Sequence, residues 1–130
     1  MISREDLESF LIRTEMDYEE IGENLWIVDP PGGTSTGEPA VVISYSPPLV
    51  VFRAKIGTAP EDLEQKLALY EQLLGLNASD LVHGAYGLEE TEIILTDALE
   101  IENLDYTEFL ASLESLALAV TSHRHKLGLD

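Results

Sequence analysis

The sequence contains no cysteine, which excludes a disulfide framework, a thiolate nucleophile and a Cys-ligated metal. Positive charge is scarce as well: seven Lys and Arg stand against 25 Asp and Glu, giving a net charge of −18. So acidic a chain has little with which to neutralise phosphate, so nucleic-acid binding is excluded as a main function and docking on anionic lipid is opposed. No apolar run reaches membrane-spanning length, and residues 1–6 lack the apolar stretch of a signal peptide; a cytoplasmic protein is expected. No Gly-x-Ser-x-Gly elbow, His-Glu-x-x-His pair or EF-hand loop occurs. Hydrophobic residues are nonetheless 45% of the 130, enough for one domain over residues 1–130 with a core of its own.

Periodicity orders that domain. Ser3 and Asp6 form an N-cap pair, and Leu7, Phe10, Leu11 and Thr14 follow helical spacing, so a short amphipathic helix is expected over residues 3–15. Three extended runs follow: Leu25 to Val28, Ala40 to Tyr45 and Leu49 to Ile56. A short strand around Tyr18 to Ile21, turning at Gly22-Glu23-Asn24, can precede the first. Asp29 to Gly37 holds Pro-Pro-Gly-Gly and reads as an exposed loop, while Ser46-Pro47-Pro48 makes a hairpin connection. In the third run Val50, Phe52, Ala54 and Ile56 share one face and are assigned to the core. A second helix is expected to open at Thr58 with Glu61 at capping-box spacing, to bury Leu63, Leu67, Tyr70 and Leu74, and to stop at Gly75. Strands from Leu81 to Tyr86 and from Thr91 to Ile101 come next. The last helix opens at Asp105, with Phe109, Leu113, Leu116, Ala117 and Val120 as its apolar stripe. The order α-β-β-β-α-β-β-α with short turns predicts an α+β fold: an antiparallel sheet of about five strands with helices packed on it.

The residue types that carry chemistry are thinly spread. Pro31 to Gly37 looks like a phosphate cradle, but it lacks the Gly-Lys-Ser/Thr ending and a strand follows it. His123 and His125 stand two apart on a helix and cannot chelate one ion together; positive charge at a helix C-terminus is their simpler role. His83 reads as a packing residue on a strand, and Asp97 as a hydrogen-bonded acid on an otherwise apolar strand face. Acidic pairs such as Glu19-Glu20, Glu61-Asp62 and Glu89-Glu90 suit turns and helix starts. No catalytic residue, metal ligand or cofactor is predicted.

One feature stands out. Residues 39–60 contain no Asp or Glu, yet carry Arg53 and Lys55. The same stretch is apolar on both strand faces, since Leu49 and Val51 lie opposite the core set, and Ile94 and Ala98 repeat the pattern later. A sheet with helices on one side should be polar on the other. Leu49, Val51 and Ile94, with Trp26 from another wholly apolar strand, are therefore the candidate dimer or partner surface.

The order of elements, in an acidic chain of this length, resembles the type III secretion chaperone-like fold, including the Tir chaperone (CesT) family and its YbjN relatives. The resemblance rests on Leu73-Leu74-Gly75-Leu76-Asn77, on Val82-His83-Gly84-Ala85-Tyr86-Gly87-Leu88-Glu89, and on Ile93-Ile94-Leu95. Ile101-Glu102-Asn103-Leu104-Asp105 and the Trp-bearing strand Leu25 to Val28 complete it. It implies a non-enzymatic, homodimeric binding protein that holds an extended client segment against its sheet, with a regulatory role as in the YbjN branch. Two readings stand beside it: a small-ligand sensor or enzyme with a pocket near His83 or Asp97, and a subunit of a larger complex.

Overall fold

The computed structural model describes residues 1–29 and 40–129. Six strands form one antiparallel sheet in the order β1-β2-β3-β4-β6-β5. In chain order the elements are α1 (Arg4–Thr14), β1 (Asp17–Gly22), β2 (Leu25–Asp29), β3 (Val41–Ser46), β4 (Leu49–Thr58), α2 (Leu63–Ser79), β5 (Ala85–Glu89), β6 (Glu92–Glu100) and α3 (Tyr106–Lys126). The short segment before Leu25 is therefore a full strand, and four strands precede α2. The loop after Asp29, including the phosphate-cradle reading of Pro31 to Gly37, lies outside the described residues.

Local chemistry explains the element ends. Ser3 Oγ accepts from the Asp6 N–H at 3.1 Å while the Ser3 N–H donates to Asp6 Oδ2 at 2.9 Å, a complete capping box at the start of α1. Asp105 Oδ1 accepts from the Glu108 N–H at 2.8 Å and caps α3. Pro47-Pro48 forms a two-residue turn that sets Ser46 opposite Leu49.

The second helix departs from expectation at both ends. Thr58 pairs with Glu92 in the β4–β6 ladder and the Ala59 N–H donates to the Thr91 carbonyl at 2.8 Å, so the chain stays extended past Gly57. The helix starts five residues later, where Asp62 accepts from the Gln65 N–H at 3.0 Å. Gly75 does not stop it, because Leu76 is buried in the core and Asn77 clamps the neighbouring strand. The Asn77 amide accepts from the Tyr86 N–H at 2.7 Å and donates to the Tyr86 carbonyl at 3.2 Å. The following strand consequently begins at Ala85 rather than Leu81. The turn to β6 falls at Glu90-Thr91 rather than Gly87, with Glu90 at φ 56°.

Helices cover one face of the sheet. Trp26, Val28, Val41, Ile43, Val50, Phe52, Ala54, Ile56, Ile93 and Leu95 point inward, and they meet Leu7 and Leu11 of α1, Leu69, Leu73 and Leu76 of α2, and Phe109, Leu113, Leu116 and Val120 of α3. Phe109 lies between Phe10 and Phe52, tilted at 49° to each with ring centroids 5.5 Å apart. Of the expected stripe of α2 only Tyr70 packs against the core; its leucines are on the other side. Leu63, Leu67 and Leu74 are 67%, 58% and 69% exposed, whereas Leu69, Leu73 and Leu76 are buried. Both sets have helical spacing, and contact with β5 selects the second.

Candidate protein-binding surface

Strand alternation places the side chains opposite the core on a second sheet face, over which no helix packs among the described residues. Register makes it a set of rows. One runs Leu25, Ser44, Val51, Ala98; the next runs Ile27, Val42, Arg53, Thr96, Ala85; Lys55, Ile94 and Gly87 form part of a third. Leu25, Ile27, Val42, Leu49, Val51 and Ile94 are all partly solvent-exposed. Three of the four residues singled out from sequence, Leu49, Val51 and Ile94, thus lie together on this open face. Trp26 does not: it is 0% exposed and faces the helices, because its partners Ile43 and Glu20 put it in the inward register of β2. Arg4 stacks on its ring at 4.9 Å.

Small residues on β5 and β6 hollow the open face. A depression of about 340 Å³ is lined by Val51, Gly84, Ala85, Thr96, Asp97 and Ala98. A second, of about 220 Å³, has Ile27, Ala40, Val42 and Ile94 with Arg53, Lys55 and Glu92. Arg53 pairs with Glu89 of β5, and Lys55 Nζ lies 3.3 Å from Glu92 of β6. These ion pairs are exposed and worth little in net stability, so they hold the cations in place without locking them.

The other candidates resolve differently. His123 is not a solvent-facing helix-end charge: it is buried, with Nδ1 2.6 Å from the Tyr86 hydroxyl and Nε2 3.4 Å from Asp80. Burial pushes the Tyr86 hydroxyl well above its ordinary pKa, and the nearby Asp80 charge adds to this. The hydroxyl therefore keeps its proton and shares a hydrogen bond with the ring, which ties α3 to β5 and to the end of α2; it is a poor nucleophile. His123 continues the α3 stripe three residues beyond Val120, and that spacing is the signal by which the sequence reveals it. His83 sits in the α2–β5 connection rather than on a strand, its Nδ1 3.9 Å from Asp97 Oδ2. Asp97 Oδ1 accepts from the Ala98 N–H at 2.9 Å, while Oδ2 is enclosed without a hydrogen-bond donor. His83 borders an open groove of about 330 Å³ between this connection and α3, whereas Asp97 borders the depression on the far side. No group of three or more His, Asp or Glu able to hold a metal ion occurs among the described residues. Among those residues, too, no helix is long and apolar enough to cross a membrane.

The fold, an antiparallel sheet backed on one face by helices, is of the secretion-chaperone type. The chain belongs to the CesT_Tir_1 family, whose model matches residues 3–128. Solved structures give the same fold. A chain of the heterodimeric ExoU–SpcU complex from the type III secretion system of Pseudomonas aeruginosa superposes with a TM-score of 0.71 at 17% identity, covering 93% of this chain and 96% of that one. YbjN from E. coli gives 0.66 at 15% identity, covering 96% and 94%. A chain of the HopA1–SchA chaperone–effector complex gives 0.63 at 13% identity, covering 96% and 99%. No curated protein matches the sequence.

Proposed function

We propose that this protein is a non-enzymatic, chaperone-like binding module that holds an extended segment of a partner protein on its open sheet face, and that it works as a homodimer. The observation that carries the reading is the partly exposed apolar set Leu25, Ile27, Val42, Leu49, Val51 and Ile94, on a face over which no helix packs among the described residues, in a protein of net charge −18. An acidic surface elsewhere keeps such a protein dissolved, and a partly exposed apolar patch of this kind is the usual mark of a docking surface. An extended segment matches the pleat of the sheet, with alternate side chains entering the two depressions. Family membership and the two protein–protein complexes among the fold neighbours, one of them a chaperone–effector complex, support a protein partner. The exposed leucines of α2, Leu63, Leu67 and Leu74, offer a second apolar stripe, and we assign the contact with a second copy to it.

Binding of a permanently unfolded probe, reduced and carboxymethylated α-lactalbumin, tests the reading. Val51→Asp replaces a partly exposed methyl pair with a charge that a bound segment would have to bury, and should weaken binding at least about tenfold. The melting temperature should stay the same. Unchanged binding would sink the open-face assignment, and a strictly monomeric mass by light scattering over a wide concentration range would sink the dimer.

A further inference from the structure

We infer that the partner segment seated on the open face carries an acidic side chain, Asp or Glu, beside its apolar residues; this rests on the open-face reading above. In a chain with seven cations, two of them, Arg53 and Lys55, stand on the exposed apolar face. They lie two apart on β4, so both project from the same face about 7 Å apart at the backbone. Both rim the depression whose floor is Ile27, Val42 and Ile94.

The remaining cations are placed otherwise. Arg4 and Arg13 stack on Trp26 and Tyr106, Lys66 is on α2, and Arg124 and Lys126 are in the last turn of α3. The two on the sheet are held by Glu89 and Glu92 through exposed pairs that water screens. A carboxylate arriving on an apolar segment finds one guanidinium and one ammonium group whose present partners are easily exchanged. Docking also removes water around them, which strengthens the new pair. A basic side chain arriving there meets like charge from Arg53 and Lys55, and the carboxylates beside them, Glu89 and Glu92, are already engaged. The net charge of −18 works in the other direction at long range, but at 0.15 M salt charges beyond about 8 Å are largely screened. The pair within the depression then decides.

Selection from a random dodecapeptide display library against wild type, Val51→Asp and the double variant Arg53→Gln/Lys55→Gln, in parallel at 0.15 M salt, tests this. In the wild-type pool, Asp or Glu should recur within two residues of a β-branched residue. Individual acidic peptides should lose about fivefold in affinity when that acid becomes Asn or Gln, as one ion pair predicts. The double variant should show neither the enrichment nor the loss. Its cations are surface side chains, and an unchanged melting curve would show that the fold is retained. Peptides that need Val51 but show no acidic enrichment, or favour Lys and Arg, would overturn this inference and leave the open-face reading standing. A pool indifferent to Val51→Asp, or no selected pool at all, would overturn the open-face reading and this inference with it.

Discussion

Two leucines six positions apart on α2 should respond to truncation in opposite ways. Leu73 is 6% exposed and packed into the core, whereas Leu67 is 58% exposed on the outer stripe. Leu73→Ala removes buried methyls and leaves a cavity that the surrounding side chains can only partly close. Such changes cost about 2–5 kcal/mol, and a site at the margin of the core belongs in the middle of that range, about 3 kcal/mol. For a domain of this size that lowers the melting temperature by roughly 10 °C. Leu67→Ala removes the same atoms from water-facing surface and should change the folded monomer's stability by less than about 0.5 kcal/mol. Helix propensity is nearly the same for both changes and cancels in the comparison. Urea melts at low micromolar protein read the monomer difference. If α2 meets a second copy, the wild-type midpoint also rises with concentration, and Leu67→Ala flattens that rise. An equal loss from Leu67→Ala and Leu73→Ala at the lowest concentration would refute the facing assigned to α2.

The other predictions concern single contacts. Tyr86→Phe leaves His123 Nδ1 without its hydrogen-bond partner in a buried site and should cost about 1–2 kcal/mol by chemical denaturation, with the fold unchanged by circular dichroism. Gly84→Ala should cost at least about 1 kcal/mol, since φ is +81° and the added Cβ would meet the Thr96 carbonyl oxygen at 2.7 Å; a neutral result would refute that geometry. The backbone N–H of Ser3, with the Ser3 hydroxyl second, lowers the Asp6 pKa. Its stabilising contribution is therefore complete above the unfolded-state carboxylate pKa and is lost as pH falls through the lowered one. An NMR titration should place Asp6 below the exposed carboxylates, and Asp6→Asn should remove its share of the acid destabilisation of α1.

Some of this molecule was legible from residue order alone. β4 alternates so regularly that Val50, Phe52, Ala54 and Ile56 had to share the core face, and the structure buries all four. The capping acids at Asp6 and Asp105 and the stripe from Phe109 to Val120 were equally clear, because each is set by interactions within one or two helical turns. So was the open face: Leu49, Val51 and Ile94 follow from the same alternation. Trp26 and α2 were not legible, and for one reason. A strand apolar on both faces, such as Leu25 to Val28, or a helix with two apolar stripes at helical spacing, such as Leu63 to Leu76, has no single periodic face to break the tie. Only docking decides such cases. Register with β1 and β3 turned Trp26 inward, and contact with β5, clamped by Asn77, turned Leu69, Leu73 and Leu76 to the core and left Leu63, Leu67 and Leu74 in water. The pairing of Tyr86 with His123 belongs to the same category: they are 37 positions apart, and their meeting depends on how α3 lies across the sheet.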